Sequence, residues 1–480
     1  MKRFMKAVGA TVLLVAALVS CSKDKNDGEI RLAVPAVYLQ PGESVTVNFS
    51  TYNVSPAACK VSSSPDGWDD PVVSTSQQSV TVKAPEKLDD KTVASGKVVL
   101  SGTGSGGTTA SATLFVAVVG IEGGVEEVTL PGPANCFMVT KAGARYTFDA
   151  RRAGDGTPLA TDRVEVVWTT KTKLIEYFTF DGDHASFFVD KEKQGNLLLG
   201  AYDADGRLLW SWHVWIAPGF DPEATAIASN GYVIMGRNLG ATSDGVKEDS
   251  EDEAADLTGS FGLYYQWGRK DPFVGASTYQ APKGSPASVY TAEGARVETG
   301  PVAADATTGT TAYTTEHPAV FLSVEKPGDD WSHEASAVRW SAVKSASDPC
   351  PYGWQVAPAA AFDALRIVED VAAENAATLY AEKYGWTMAD GGAKGFFPGS
   401  GYRTYLDGKI NNIYDNIPVR NAAIDMQPWV GYYWTTDAEG AQTRTFHFWF
   451  DKSAPEKSAI RNGAPMGRAN ALPVRCVKVR

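Results

Sequence analysis

Two-residue alternation dominates the first quarter of the chain. Val45, Val47 and Phe49 alternate with Thr46 and Asn48, and Ala110, Ala112, Leu114, Val116 and Val118 alternate with smaller or polar neighbours. A strand sends successive side chains to opposite faces, so this spacing predicts strands with one buried face. Gln40-Pro41-Gly42-Glu43 and the glycine-rich run from Gly102 to Gly107 mark turns between them. Short strands broken by such turns predict a β-sandwich over residues 30–120.

A second set of strands follows Gly123-Gly124: Arg145–Ala150, Val164–Thr169, Ala185–Val189, Asn196–Asp203 and Leu208–Ile216. These predict another sandwich over residues 123–220. In the last of them Leu208, Trp210, Trp212, Val214 and Ile216 share one face, and Leu209, Ser211, His213 and Trp215 share the other. Two Trp on an apolar face read as core. Trp215 beside His213 reads as packing against a neighbouring domain, and Trp68 as part of a spacer module.

Beyond a linker at Asp221-Pro222-Glu223 and 226–230 the period changes. Phe362, Leu365, Val368 and Ala372 fall at three- and four-residue steps after Pro358, which predicts a helix, and a second helix is expected from Asn375 to Tyr384. Strands are expected at Tyr232–Met235, Gly353–Val356, Gly431–Thr435 and Arg444–Phe450. Residues 276–345 are mostly Ala, Ser, Thr, Gly and Pro without a sustained period, the mark of a long functional or mobile insertion. The fold class expected is multidomain, with two all-β sandwiches followed by an α+β domain over residues 226–480.

The N-terminus bears on location. Lys2, Arg3 and Lys6 precede an apolar stretch from Ala7 to Val19, shorter than the roughly 20 residues a spanning helix needs, so residues 1–20 read as an export signal. Leu18-Val19-Ser20-Cys21 resembles the lipobox of bacterial lipoproteins, which implies that Cys21 becomes an acylated N-terminus and joins the protein to a membrane through its acyl chains. Residues 21–29 are then a polar tether. Their acidic members, close behind the Cys, resemble the export signal of surface lipoproteins in Bacteroides-like bacteria, which implies an outer-membrane, surface-exposed location.

Composition narrows the partners. Lys and Arg number 44 against 56 Asp and Glu, a net charge of −12 that excludes nucleic acid, since phosphate binding needs a basic surface. Cys59, Cys136, Cys350 and Cys476 remain after Cys21. Four thiols allow three pairings, and the absence of a CxxC or Cys/His cluster argues against structural zinc.

Six phrases occur in order along the last half of the chain: Arg237–Thr242, Gly262–Phe273, Asp348–Val356, Gly401-Tyr402-Arg403, Gly431–Thr436 and Pro473–Lys478. Together they resemble the Fibrobacter succinogenes major paralogous domain, found in surface lipoproteins of Bacteroidetes and Fibrobacteres, over residues 226–480. Ala357-Pro358 departs from the Pro-Thr usual in that family. The family is similar to C-type lectin-like and formylglycine-enzyme-like folds, which implies a small twisted sheet, two helices and long loops carrying specificity. It also implies a disulfide between Cys350 and Cys476, leaving Cys59 and Cys136 as buried free thiols. The first sandwich is similar to bacterial Ig-like repeats that serve as stalks. Ala134–Val139, Tyr146–Phe148 and Leu209–His213 resemble a module recurrent in Bacteroidales surface lipoproteins, with no activity implied.

The chemistry of such folds is not matched. Calcium-dependent sugar binding in lectin folds needs Glu/Gln-Pro-Asn/Asp and Trp-Asn-Asp phrases, and neither is present; the chain reads Phe448-Trp449-Phe450-Asp451-Lys452 near its last strands. The acidic run from Asp244 to Asp256 has Asp249, Glu251 and Glu253 at alternate positions, but Ala254 and Ser260 stand where a calcium loop needs Gly and Glu, so a solvated loop is expected. Formylglycine-type oxidases need a reactive Cys pair on a metal, which a disulfide does not supply. His184, His213, His317, His333 and His447 lack metal or triad spacing, and His447 reads as exposed, opposite Phe446, Phe448 and Phe450. No cofactor, metal or catalytic residue is expected.

Recognition remains. Aromatic loop residues offer flat apolar faces, and neighbouring amides and guanidiniums fix orientation. Tyr402, Arg403, Tyr405, Asn411 and Tyr414 in the loop 394–417, with Trp331 and His333 in the insertion, are the expected ligand contacts. The expected function is non-catalytic adhesion or pilus-tip-type presentation by a lipid-anchored surface protein, binding an extracellular glycan or protein, within a pilus or other surface complex. The alternatives are glycan capture beside a polysaccharide-utilisation system and an enzyme on the oxidase-like fold.

Overall fold

A computed structural model describes residues 28–479 apart from 105, 247–249, 278–285, 335–338, 371–372, 374–383, 412–428 and 451–458. The chain forms two compact units, divided between Val125 and Glu126. Strands dominate the described residues.

The first unit is a sandwich of β1 (Glu29–Leu32), β2 (Ala36–Leu39), β3 (Ser44–Tyr52), β4 (Lys60–Ser63), β5 (Val72–Ser74), β6 (Ser79–Lys83), β7 (Ser95–Thr103) and β8 (Thr109–Val118). One sheet has the order β1-β3-β6-β5 and the other β2-β8-β7-β4. This is the immunoglobulin-type strand order, with the chain passing from one sheet to the other between its first two strands. The alternation read from sequence appears in β3, where Val47 and Phe49 are buried and Thr46 and Asn48 exposed. In β8 it fades after Leu114, because Phe115 and Ala117 are buried as well. Phe115 packs edge-on against Tyr38 at 6.0 Å. Trp68 is buried in the sandwich core, and its Nε1 donates to the Val93 carbonyl at 2.9 Å.

The second unit opens on the same plan. Strands β9 (Glu126–Thr129), β10 (Cys136–Val139), β11 (Ala144–Asp149), β12 (Arg163–Thr169), β13 (Glu176–Phe180), β14 (His184–Val189), β15 (Gly195–Tyr202) and β16 (Leu208–Ile216) repeat the order of the first sandwich element for element. The insertion is not featureless. Val289–Tyr290 and Arg296–Val297 extend the sheet of β12, through Thr169 opposite Tyr290. Pro301–Ala303 pairs in parallel with Phe321–Ser323. Between those two strands lies a helix, Thr311–Glu316, whose cap Thr310 accepts from the Tyr313 amide.

After the linker most strands are short. Ile227–Ser229, Tyr232–Ile234, Cys476–Lys478 and Trp354–Val356 form one sheet, and Tyr264–Gln266, Ala471–Pro473, Tyr402–Arg403 and Ile410–Asn411 a second. Arg366–Ile367, Gly385–Ala389 and Gly395–Pro398 form a third, and Trp429–Glu439, Gln442–Phe450 and Ala459–Gly467 a fourth.

The helix expected after Pro358 is a single 3-10 turn, Ala359–Phe362, followed by a strand at Arg366–Ile367. Phe362 and Leu365 are fully buried as their spacing suggested, but a turn leading into a strand buries them, and Val368 is exposed. Ala372 and nearly all of the second expected helix lie outside the described residues. The acidic run also differs from expectation. Glu253–Ser260 is an α-helix, capped by Asp252, which accepts from the Ala255 amide at 3.0 Å.

Residues 123–220 and 226–480 do not separate at the linker. Trp168, Leu198 and Trp215 of the sandwich share one core with Met235, Leu239, Tyr265, Trp267, Trp354 and Trp434. Polar contacts reinforce the joint. Trp215 Nε1 donates to the Ala241 carbonyl at 2.8 Å, and Asn135 Nδ2 donates to the carbonyls of Ala346 and Asp348 at 2.7 and 2.8 Å. The buried Lys270 ammonium donates to Asp271 at 2.7 Å and to the Ser211 hydroxyl, lying over the Trp210 ring. Trp215 therefore packs against a neighbour, as its position implied.

Cys350 and Cys476 form a disulfide across a separation of 126 residues. Closing a loop of this size stabilises by about 5 kcal/mol in the chain-entropy account. Cys59 and Cys136 are free and buried.

Candidate functional site

The residues expected to contact a ligand divide into three groups. Trp331 and Arg403 belong to the interior. Trp331 is 1% exposed and its Nε1 donates to the Trp267 carbonyl at 2.9 Å. Arg403 is 3% exposed, donates to the carbonyls of Gly408 and Val274 at 2.6 and 3.2 Å, and stacks on Phe273 and Phe321. Burial lowers its pKa to about 10. Neither residue has a surface to offer, because both side chains are enclosed and donate to backbone carbonyls.

His333 is exposed, and its amide donates to the Gly309 carbonyl at 2.8 Å. Tyr405 is half-buried against the small cluster of Leu322, Trp331 and Ala469. Tyr414 lies outside the described residues. Tyr402 and Asn411 do come together, with Asn411 Nδ2 donating to the Tyr402 hydroxyl at 3.2 Å.

Tyr402 leads to a row of rings that residue type alone did not reveal. Its ring stands edge-on to Tyr432 at 5.3 Å, Tyr432 lies 5.4 Å from His447, and His447 lies 5.5 Å from Trp449. Tyr402, Tyr432, His447 and Trp449 are all half-buried. The opposite face explains why they assemble. Tyr433, Phe446 and Phe448 are buried with Phe362 and Phe397, and Phe446 stacks on Phe362 at 4.5 Å and 14°. A one-residue slip would turn that apolar set outward, so the register is fixed. Tyr432 is thereby placed opposite His447. Phe448 sits opposite Gly431, and a Cβ there would come 2.3 Å from the Phe448 ring, so glycine is required for that ring to lie flat. Trp434 is buried, with its Nε1 donating to the Tyr265 carbonyl at 2.6 Å, and fixes the same strand in the core.

His447, expected to be exposed, is held between Tyr432 and Trp449 instead. Burial, with a smaller contribution from the Arg461 charge opposite it, lowers its pKa to about 4, so the imidazole is neutral at pH 7. Arg461 is exposed. Among the described residues, the buried atoms His447 Nδ1 and Asn411 Oδ1 have no hydrogen-bond partner.

The other ionisable groups of the interior serve packing. Arg475 lies 4.0 Å above the Phe397 ring and donates to Asn238 Oδ1 at 2.8 Å. His213 Nε2 is 2.9 Å from Asn196 Oδ1, and burial lowers its pKa to about 3. Burial raises the Cys136 thiol far above the usual range. Among the described residues no group of three or more His, Cys, Asp and Glu could hold a metal ion, and no helix is long and apolar enough to cross a membrane.

No family profile matches the chain, and no curated protein matches it. Among solved structures it is similar to SGBP-B of the Bacteroides ovatus mixed-linkage glucan utilization locus, solved with a mixed-linkage heptasaccharide, at 13% identity over 47% of this chain and 50% of that one, with a TM-score of 0.11. The chain thus spans half the length of that protein. It is also similar to SporoSAG from Toxoplasma gondii, at 8% identity over 38% of this chain and 96% of that one, with a TM-score of 0.14. A third similarity is to mouse clustered PcdhgC3 EC1-3, at 14% identity over 41% and 69% of the two chains, with a TM-score of 0.15.

Proposed function

We propose that the protein is a surface lipoprotein, held at an outer membrane through Cys21, whose C-terminal part recognises an extracellular ligand without transforming it. Its role in this reading is adhesion or pilus-tip-type presentation, with the first sandwich as a spacer and residues 226–480 as a lectin-like scaffold. One observation supports the non-catalytic part: the polar residues of the shared phrases are buried in packing. Asn238, Gln266, Arg269, Lys270, Asp271, Arg403 and Arg475 are all buried. Gln266 Nε2, for example, donates to the carbonyls of Leu322 and Ala469 at 2.7 and 2.8 Å. Groups committed in this way support a scaffold. General acid–base work needs titratable groups within reach of a substrate, and His213 and Lys270 are enclosed.

Fractionation and protease shaving of whole cells test the anchoring. The wild-type protein is expected in the membrane fraction and open to external protease, and Cys21→Ser in the soluble fraction. A Cys21→Ser protein that stays with membranes, or a C-terminal part that survives shaving, would overturn the reading.

A further inference from the structure

We infer that the open edge of β12 is a peptide-binding site, where an extended segment of another protein adds as a strand and sets alternate side chains into the second sandwich. The reading above gives that sandwich no role, so this inference goes beyond it and fails separately. β12 pairs with β15 from Arg163 to Thr169, but on its other side it meets only Tyr290, opposite Thr169. The hairpin of Val289–Tyr290 and Arg296–Val297 thus begins a further strand position and abandons it at once. It turns back where the Thr291 amide donates to the Ala295 carbonyl at 2.7 Å. Among the described residues, Val164, Glu165 and Val166 are left with no strand on that side.

A cleft of about 500 Å³ opens beside this edge, within the roughly 300–1,000 Å³ of pockets that hold ligands. Its apolar walls are Val164 and Val166 of β12, Leu197 of β15, Phe178 of β13, and Leu174 and Ile175 just before β13. β13 is itself the edge of the opposite sheet, paired with β14 alone, so the cleft lies where both sheets end and leads into the core between them. An added strand satisfies both parts of this surface. Its amides and carbonyls meet the open edge, and every second side chain turns into the cleft. Three residues of β12 span about 10 Å, which suits two alternate apolar side chains.

The corresponding strand of the first sandwich, β4, shows an edge closed to such addition: it has four residues, and Lys60, Ser62 and Ser63 are exposed. β12 has seven, with Val164 buried and Val166 and Val167 half-buried, and its charged residues Arg163 and Glu165 are bonded to each other at 2.8 Å. The rim sets the polarity of the guest. Glu293 on the hairpin turn and Lys173 before β13 line the cleft, are exposed, and have no ionic partner among the described residues. The guest is therefore a peptide with apolar residues at alternate positions, a basic residue toward Glu293 and an acidic one toward Lys173.

The test pans a phage library of short random peptides on the full mature chain. Enrichment of sequences with alternate apolar residues and a Lys or Arg toward one end is expected. Phe178→Ala, checked for unchanged thermal melting, should weaken binding of the enriched synthetic peptide about tenfold or more. Glu293→Lys, at an exposed position, should replace the selected basic residue by an acidic one. Methylating the peptide amides one at a time reads the main chain on the wild-type protein. Loss at every second residue, with tolerance between, is expected of a strand paired along one edge. Tolerance at every residue would leave apolar contact alone and overturn strand addition. Binding and selection unchanged in both Phe178→Ala and Glu293→Lys overturn the site. Failure to enrich any peptide overturns the inference and leaves the reading of residues 226–480 untouched.

Discussion

Arg468 holds its guanidinium carbon 4.2 Å above the Trp267 ring, inside the second unit. Arg339 lies over Trp331 at 4.5 Å and over Trp267 at 5.3 Å, and both arginines donate to one carboxylate, Asp330. Gly268 makes room for this stack. Its φ is +83°, and a Cβ there would stand 2.5 Å from the Arg339 Cβ. Two buried cations thus share one anion and two indole rings. Asp330→Asn removes the anion and leaves both charges uncompensated, so a loss of about 3–5 kcal/mol is expected by urea denaturation. A loss below about 1 kcal/mol would show that the rings alone hold the pair.

The shared core predicts how the chain can be divided. A fragment beginning at Ala226 would expose the partners of Trp168, Leu198 and Trp215 and is expected to aggregate, whereas one beginning at Glu126 keeps that core whole. Trp215→Ala, in the full chain, should cost about 3–5 kcal/mol. A soluble, cooperatively melting 226–480 fragment would contradict this.

Thiol accessibility reports the disulfide. Alkylation of the unfolded chain without reductant should label Cys59 and Cys136 and spare Cys350 and Cys476. Cys350→Ser should destabilise by about 2–5 kcal/mol. Labelling at Cys350 would reject the bridge.

Two histidines give a pH dependence with a definite sign. Burial lowers His213 to about 3 and His447 to about 4, below the ordinary value of 6.5. Between those limits the unfolded chain binds protons that the folded one refuses, so stability rises with pH. It should be full above about pH 6.5 and fall steadily as the pH drops toward 4. His213→Gln should flatten the part of this slope due to that residue; an identical slope in the variant would remove His213 as a cause.

Local pattern reached some of this architecture and stopped where partners are distant. Val47 and Phe49 announce a strand because alternation is a property of the segment itself. Trp215 could be assigned to a domain contact because its neighbours already fill the other face of β16. Phe362 and Leu365 are spaced for a helix, yet that spacing is also met by a 3-10 turn followed by a strand paired with Gly385–Ala389. Arg403 and Trp331 have the side chains of ligand contacts, but their burial depends on the Val274 and Trp267 carbonyls, 129 and 64 residues away. The aromatic row was hidden for a related reason. Tyr432, His447 and Trp449 become neighbours only once the register of two strands is known, and a clue lay in Phe446 and Phe448 pointing the other way. The acidic helix carried its own signal in Asp252, whose carboxylate caps the Ala255 amide.

Both sandwiches join an early strand to their last one in parallel, β2 with β8 and β10 with β16. In the proposed arrangement, with the chain anchored at its N-terminus and loaded through its C-terminal part, tension reaches the start of the early strand and leaves from the end of the last. Those are opposite ends of a parallel pair, so the load falls on all the rungs at once instead of opening them one by one. Pulling single molecules from both termini should therefore give high rupture forces in each sandwich, and gradual low-force opening would show that the load takes another path.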